Sequence, residues 1–422
     1  MLKAGTAIRD ISPKLGVQLA GYPHCPRENT GVHDPLCATA TFLDNGKEKI
    51  TIVSLDLLSI GKQMVKELRK VVNHPVTFTC THTHCGPWTS EPLASEKEEG
   101  IECNAEYNEK LKQDLTDLIL EAESNVFDAE LTTVIGTCGK EQGVGGNRRV
   151  KNGLQDTSVN VLAVREKGGA VRSIIVNYAL HPTYLHAENT LVTADYPCYI
   201  RRYFYFTEPK AIVSFMQGTS GNQSSRYHRV GQNFEEACRA GTILAVEVDR
   251  CIKSAEFKDD VELTFKSTEI TNLPRKTYPP VEITEKAKIE AEAYYQSVKD
   301  KDYITARNAE LAMFGAQNNY YYSKAQDLNS PELPLEVAMV KVDDTLIVML
   351  QGEIFVEIGL KIKELSPYKK TFVYEVSNGY LPGYIYTEEA GKEGGYEVGT
   401  STFDIDVEKV LINDMKEILE NV

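Results

Sequence analysis

Two apolar runs of this chain stop on histidine in the same way, and that repetition constrains the fold more than any other feature. "VTFTCTHTHCGP" begins as a buried strand over residues 76–81 and then meets His82 and His84. "SIIVNYALHPTYLH" is a second apolar strand ending in His181, where Pro182 stops the ladder. In open α/β sheets reactive groups gather at the carboxyl ends of strands, so two strands ending alike point to one shared site. Side chains at i and i+2 of a strand share a face, which places His82 and His84 on one side. The chain has only eight histidines in 422 residues, so the pairing is not a consequence of abundance.

The rest of the chain fits an α/β fold with a mixed β-sheet core flanked by helices. Strands are expected at "KAGTAIRDI", "CATATFLD", "KITIVSLDLL", "LTTVIGTCG", "TSVNVLAVRE" and "AIVSFMQG", joined by turns containing Gly, Pro and Asn. Helical spacing of apolar residues marks "GKQMVKELRKVV", "AEYNEKLKQDLTDLILEAESN" and a long segment near 234–255. Residues 281–317 are helical and highly charged, which predicts a helical hairpin inserted against the domain with a solvated outer face. Strands return in "LEVAMVKVDDTLIVMLQGE" and "KTFVYEVSNGY", and an amphipathic helix, "DVEKVLINDMKEILENV", follows. Without an internal repeat or composition break, residues 1–422 are expected to form one hydrolase-type domain with no C-terminal accessory domain.

Charge narrows the function classes. With 46 Lys+Arg against 61 Asp+Glu, net −15, general nucleic-acid binding and attraction to anionic membranes are disfavoured. No apolar run approaches the length of a transmembrane span, and the N-terminus has no signal-peptide pattern, so a cytoplasmic location is expected. The nine cysteines include no Cys-x-x-Cys pair, which favours free thiols over a disulfide framework or zinc ribbon. Cys80 and Cys85 flank the histidines and are weak ligand candidates.

Zinc hydrolases use three or four protein ligands and leave one position open. His82, His84 and His181 supply imidazoles. A carboxylate is offered by "TLIVMLQGEIFVEIGLKIKEL", where the strand runs to Leu350, Gln351 and Gly352 turn, and Glu353 is expected to open a helix. Glu353 there is either a first-turn acid favoured by the helix dipole or the oxygen ligand of a His/His/Glu set.

At this point the chain resembles the neutral ceramidases, zinc amidohydrolases that split the N-acyl bond of ceramide. The ordered motifs are "AGTAIRDISP", "LAGY", "TGVHDPLCATATFLD", "CTHTHCGP", "GGNRR", "ALHPTYLHAENTLVTADY", "QGEIF" and "SNGYLPGYIYTEEAGKEGGYEVGTSTF". The resemblance implies one zinc ion held by His82, His181, Glu353 and Tyr384, with His84 as the acid/base partner. Tyr384 is preferred to Tyr380 and Tyr386 because Tyr396 follows it by the spacing expected of the family's two active-site tyrosines. Arg148 and Tyr396 would then stabilise the substrate carbonyl, and Ser224 aligns with a serine near the site.

The sequence departs from the family at "GNQSS" (221–225), where Asn222 and Ser225 replace an aspartate and a proline, and the following "RYHR" adds basic groups. Together with the expected lack of an export signal and of an accessory domain, this favours a small-molecule amide over a membrane lipid, although a lipid-like amide fits the scaffold. No oligomeric state is indicated. Competing readings are a zinc carboxylesterase on the same site, a (β/α)8-barrel metal-dependent amidohydrolase, and a non-catalytic binding protein. The barrel requires eight regular strand–helix units, whereas residues 120–190 read as strands with few helices between them.

Overall fold

The computed structural model describes residues 1–92, 96–97, 100–325 and 333–422. Eight strands form a mixed sheet: β1 (Lys3–Asp10), β2 (Cys37–Asp44), β3 (Lys49–Leu55), β4 (Val76–Cys80), β5 (Val126–Thr137), β6 (Ser158–Glu166), β7 (Val171–Tyr178) and β8 (Ile212–Gln217). Their spatial order is β8-β7-β6-β5-β1-β2-β3-β4. A four-stranded sheet follows, in the order β9 (Leu263–Ile270), β10 (Leu335–Val342), β11 (Thr345–Leu350), β12 (Lys370–Tyr374). This is a mixed α/β fold with helices on the sheets; the large sheet does not close, which excludes the (β/α)8 barrel.

Local chemistry explains the elements. The strands "VTFTC" and "TLIVML" are buried at every position, as expected for strands covered on both faces. Helix α1 (Ala105–Ser124) starts where the Asn104 side chain accepts from the Tyr107 amide, and it buries Leu111, Leu115, Leu118 and Ala122 along one stripe. Helix α2 (Tyr196–Thr207) packs on helix α3 (Phe234–Lys253), which carries Glu235 and Glu236 in its first turn and Arg250 and Lys253 in its last, matching its dipole.

Within these two sheets most neighbours are antiparallel, but three pairs are parallel: β3 with β4, β7 with β8, and β11 with β12. A parallel pair needs a crossover, so its two strands end on the same side. All three pairs end toward one place. The reason is a wedge: the chain leaving β12 bridges the two edges of the large sheet. Thr79 of β4 pairs with Ser377, and Gly218 after β8 pairs with Tyr374. The Glu375 amide donates to Gln217 O (2.9 Å) and the Asn378 amide to Phe78 O (2.7 Å). Across the large sheet, Thr39 and Ser214 hydroxyls meet at 2.7 Å and the Ser54 hydroxyl donates to Phe215 O at 2.6 Å. Each buried bond of this kind contributes about 1 kcal/mol net, and far more is lost if one partner is left unpaired.

The expected hairpin is present as helices α4 (Val281–Val298) and α5 (Tyr303–Ala325). It crosses the short helix α6 (Tyr396–Thr400) where Gly315 meets Gly399: a β-carbon on Gly399 would lie 2.6 Å from the Gly315 Cα. That backbone contact brings α5 down as a roof over the sheet ends. Helix α7 (Val407–Glu420) buries Leu411, Met415 and Leu419 at helical spacing. No helix of the described residues is long and apolar enough to cross a membrane.

Candidate active site

His82 does not sit on the strand that was expected to carry it. The ladder of β4 ends at Cys80, and His82 takes a left-handed backbone with φ 65°. A left-handed non-glycine residue costs of order 1–3 kcal/mol and persists only where its surroundings enforce it. Here the His82 amide donates to Leu57 O and its Nδ1 donates to Leu58 O, both at 2.9 Å. The turn, not strand alternation, brings His82 and His84 together, with ring centroids 5.1 Å apart. His181 follows β7 as expected; its Nδ1 donates to Ser220 O at 2.7 Å, and its ring lies 4.8 Å from that of His82.

Glu353 also departs from expectation. It lies before the helix rather than in its first turn, because the helix begins at Val356. Glu353 and Ile354 form a two-residue strand paired in parallel with Tyr384 and Ile385, which sets Glu353 directly beside Tyr384. The dipole explanation for Glu353 therefore fails, and its carboxylate turns to the histidines. Oε2 lies 3.2 Å from His181 Nε2 and 3.3 Å from His82 Nε2, the latter without a hydrogen bond.

This convergence has an electronic consequence. Backbone carbonyls only accept, so Nδ1 of His82 and of His181 each carry the ring proton, and in a neutral ring each Nε2 is then a lone pair. Two lone pairs and a carboxylate oxygen thus face one another in a buried space, which requires a cation between them. Burial opposes charge on His82, but Glu353 outweighs it and raises the ring's pKa. Against its own burial, Glu353 is held well below the usual carboxylate range by His82 and His181. The residues present fit a borderline divalent ion such as zinc.

The ring of His84 completes the group. Candidate ligand atoms of His82, His84 and His181 all lie within 4.8 Å of one another, so this buried trio can hold a metal ion. Both ring nitrogens of His84 are buried without a hydrogen-bond partner. Burial, reinforced by His82 and His181, holds its pKa well below the ordinary imidazole value, so the ring is neutral at pH 7. Space for it is made by Gly21 of the "LAGY" segment. Gly21 has φ +92°, and a β-carbon there would stand 2.4 Å from the His84 Cγ. Tyr22 then packs on the same ring at a centroid distance of 4.9 Å. Gly21→Ala is expected to push His84 aside and lower turnover roughly 100-fold, the effect of an ångström-scale misplacement. Measuring metal content and kcat together checks this, since the metal should be retained.

The other side of the cavity is built by Arg148, Tyr384 and Tyr396. Arg148 is clamped: Nε donates to Glu397 Oε1 (2.9 Å), Nη2 donates to Gly221 O (2.7 Å), and its guanidinium lies 5.5 Å from the Tyr384 ring centre. The Tyr384 and Tyr396 rings are 6.0 Å apart. The hydroxyl of Tyr386 is spent on Phe403 O, which removes it from the choice of tyrosine, whereas Tyr380 lines the same cavity as Tyr384. Ser224 pairs with Gly146 at the wall near Arg148. Cys80 is buried in the strand and Cys85 receives a bond from Asn189, so neither thiol enters the histidine group; all nine cysteines are free.

Two positioning residues escaped the sequence. Glu375 accepts from the Ser220 amide (3.0 Å), the Ser220 hydroxyl (2.6 Å) and the Ile354 amide, tying the acceptor of His181 to the strand of Glu353. Gln217 donates to Leu180 O (2.9 Å) and Ser220 Oγ (2.6 Å), fixing the turn before His181. Glu375 carried a usable signal, the same one as His181: an apolar strand, "KTFVY", running into a polar side chain.

No sequence-family description and no curated protein matches this chain. Solved structures do. The chain is similar over its whole length to neutral ceramidase from Pseudomonas aeruginosa, with TM-score 0.77, 16% identity and 75% of that chain covered. It is also similar to a ceramidase complexed with C2, with TM-score 0.74, 13% identity, and coverage of 100% of this chain and 76% of that one. The fold is that of the neutral ceramidases.

Proposed function

We propose that this protein is a zinc-dependent amidohydrolase that cleaves an N-acyl bond of a soluble substrate. The observation that carries this is the convergence of His82 Nε2, His181 Nε2 and Glu353 Oε2 beside a neutral His84 with both nitrogens unpartnered. His82, His181, Glu353 and Tyr384 would hold the ion. Zinc supplies, when bound, the Lewis acidity that polarises an amide carbonyl and makes water acidic near neutral pH. His84, kept neutral by burial, accepts a proton from the attacking water and returns it to the leaving amine. Glu397 orients Arg148, and Arg148 and Tyr396 face the carbonyl oxygen where negative charge develops. Ser224 lies on the wall beside them and positions substrate.

Tyr396→Phe keeps the ring and removes one donor. It is expected to lower kcat by roughly 100- to 1000-fold with little change in KM, the behaviour of a contact made in the transition state. Steady-state kinetics on an N-acyl substrate check it. A second arrangement, with His84 as a third imidazole ligand, is favoured by the mutual proximity of the three rings; metal analysis of a His84 variant separates the two. Incubation with N-acylsphingosines and with small N-acyl compounds tests the substrate class. Ceramide turnover rivalling every soluble compound would contradict the soluble part, and failure to cleave any amide would contradict the whole assignment.

A further inference from the structure

A second chamber adjoins the histidine site and shares His84, Tyr384 and Tyr396 with it. Its far wall is mainly cationic, four arginines against the carboxylates of Glu188 and Glu310. Arg226 and Arg229 come from the loop after Ser225, Arg307 comes from the roofing helix α5, and Arg148 stands at the boundary. Two of these charges are answered: Arg148 by Glu397, and Arg307 by Glu310. The other two hydrogen-bond only to neutral acceptors among the described residues, with Glu397 reaching Arg226 through space alone. Arg226 donates to Arg148 O (2.9 Å); Arg229 donates to Thr183 O (3.4 Å), Ser225 Oγ (3.2 Å) and Tyr303 Oη (3.0 Å).

Crowding partly buried guanidiniums together is costly unless an anion joins them. The strain is visible on both groups that could relieve it. Burial, followed by repulsion from Arg148, pushes Arg226 down to about 10. His186 on the same wall is pushed down to about 3 by burial and then by Arg307, Arg229, Arg27 and Arg226, so it adds no charge of its own at neutral pH. Guanidinium forks match the two oxygens of a carboxylate or phosphate.

We propose that Arg226, Arg229 and Arg307 receive an oxyanion on the substrate, so that the substrates are N-acyl compounds carrying a carboxylate or phosphate within one chamber's reach of the scissile amide. This rests on the amidohydrolase assignment above. The test compares kcat/KM for N-acylglycine and N-acylethanolamine phosphate with that for uncharged N-acylethanolamine, all with the same acyl group. At least one anionic compound is expected to exceed the neutral one by roughly 100-fold, because a site built for a polar group rejects the analogue lacking it. Whichever arm wins identifies the anion. Arg226→Gln and Arg229→Gln should each reduce that ratio at least 10-fold, mainly through KM for the anionic compound, with partial rescue by Arg226→Lys.

Equal turnover of the neutral and anionic compounds would overturn the anion chamber and leave the hydrolase assignment standing. If no amide is cleaved, calorimetry with inorganic phosphate and N-acylglycine decides separately. Binding that is lost in Arg226→Gln would support the chamber while the hydrolase assignment falls, and no binding to the unaltered protein would overturn the chamber as well.

Discussion

His82→Ala is expected to remove the metal and the activity together, with zinc content falling from about one equivalent to near zero. The ring is one of two imidazoles whose Nε2 meets Glu353 Oε2, and its loss leaves too few donors for a structural-strength site. Glu353→Gln should behave similarly, because the amide cannot balance a dication as a carboxylate does. The fold should survive. Most of the buried mass lies in the sheets and helices, and His82 contributes a loop held by its own backbone bond to Leu57. Metal analysis with a circular-dichroism melt checks both halves, and a fall in Tm on chelation of the unaltered protein should match that of the variant, as expected for an ion that binds only the folded chain.

His84→Ala is expected to give the opposite pairing, metal kept and turnover lost. Removing a positioned acid/base group typically costs between roughly 100- and 10,000-fold. His84 has no hydrogen bond from either ring nitrogen, so no structural partner is orphaned by the change. Its ring otherwise packs on Tyr22, the open face of Gly21 and the rings of His82 and His181. If His84 were instead a ligand, zinc content would fall in this variant too. Comparing the two variants side by side thus decides whether the doubled histidine divides its work, one ring for the ion and the other for protons.

Much of this architecture was legible because short apolar runs ended in chemically active residues. β4 and β7 announced His82 and His181, and the charged stretch 281–317 announced the hairpin that appears as α4 and α5. Choosing Tyr384 over its neighbours came from the family likeness; the structure pairs its backbone with Glu353 and lines the cavity with both Tyr380 and Tyr384. What the residues could not disclose were relations between distant segments. The wedge after β12 that draws β4 and β8 together depends on single bridges at Thr79 and Gly218, which leave no periodic trace. The left-handed turn at His82 is enforced by carbonyls of Leu57 and Leu58, some twenty-five positions earlier. Glu353 looked like a helix opener because "GEIFVEIGL" is helical in spacing, yet a two-residue pairing with Tyr384 captured it first. The inward face of the hairpin was read as plain packing, whereas Arg307 and Phe314 line the second chamber.

The most direct measurement is anomalous diffraction at the zinc absorption edge from crystals of the protein as purified. One peak is predicted in the space bounded by His82 Nε2, His181 Nε2 and Glu353 Oε2, with the His84 ring beside it. A map with no peak there from protein that cleaves amides, or with its metal bound elsewhere, would contradict the account.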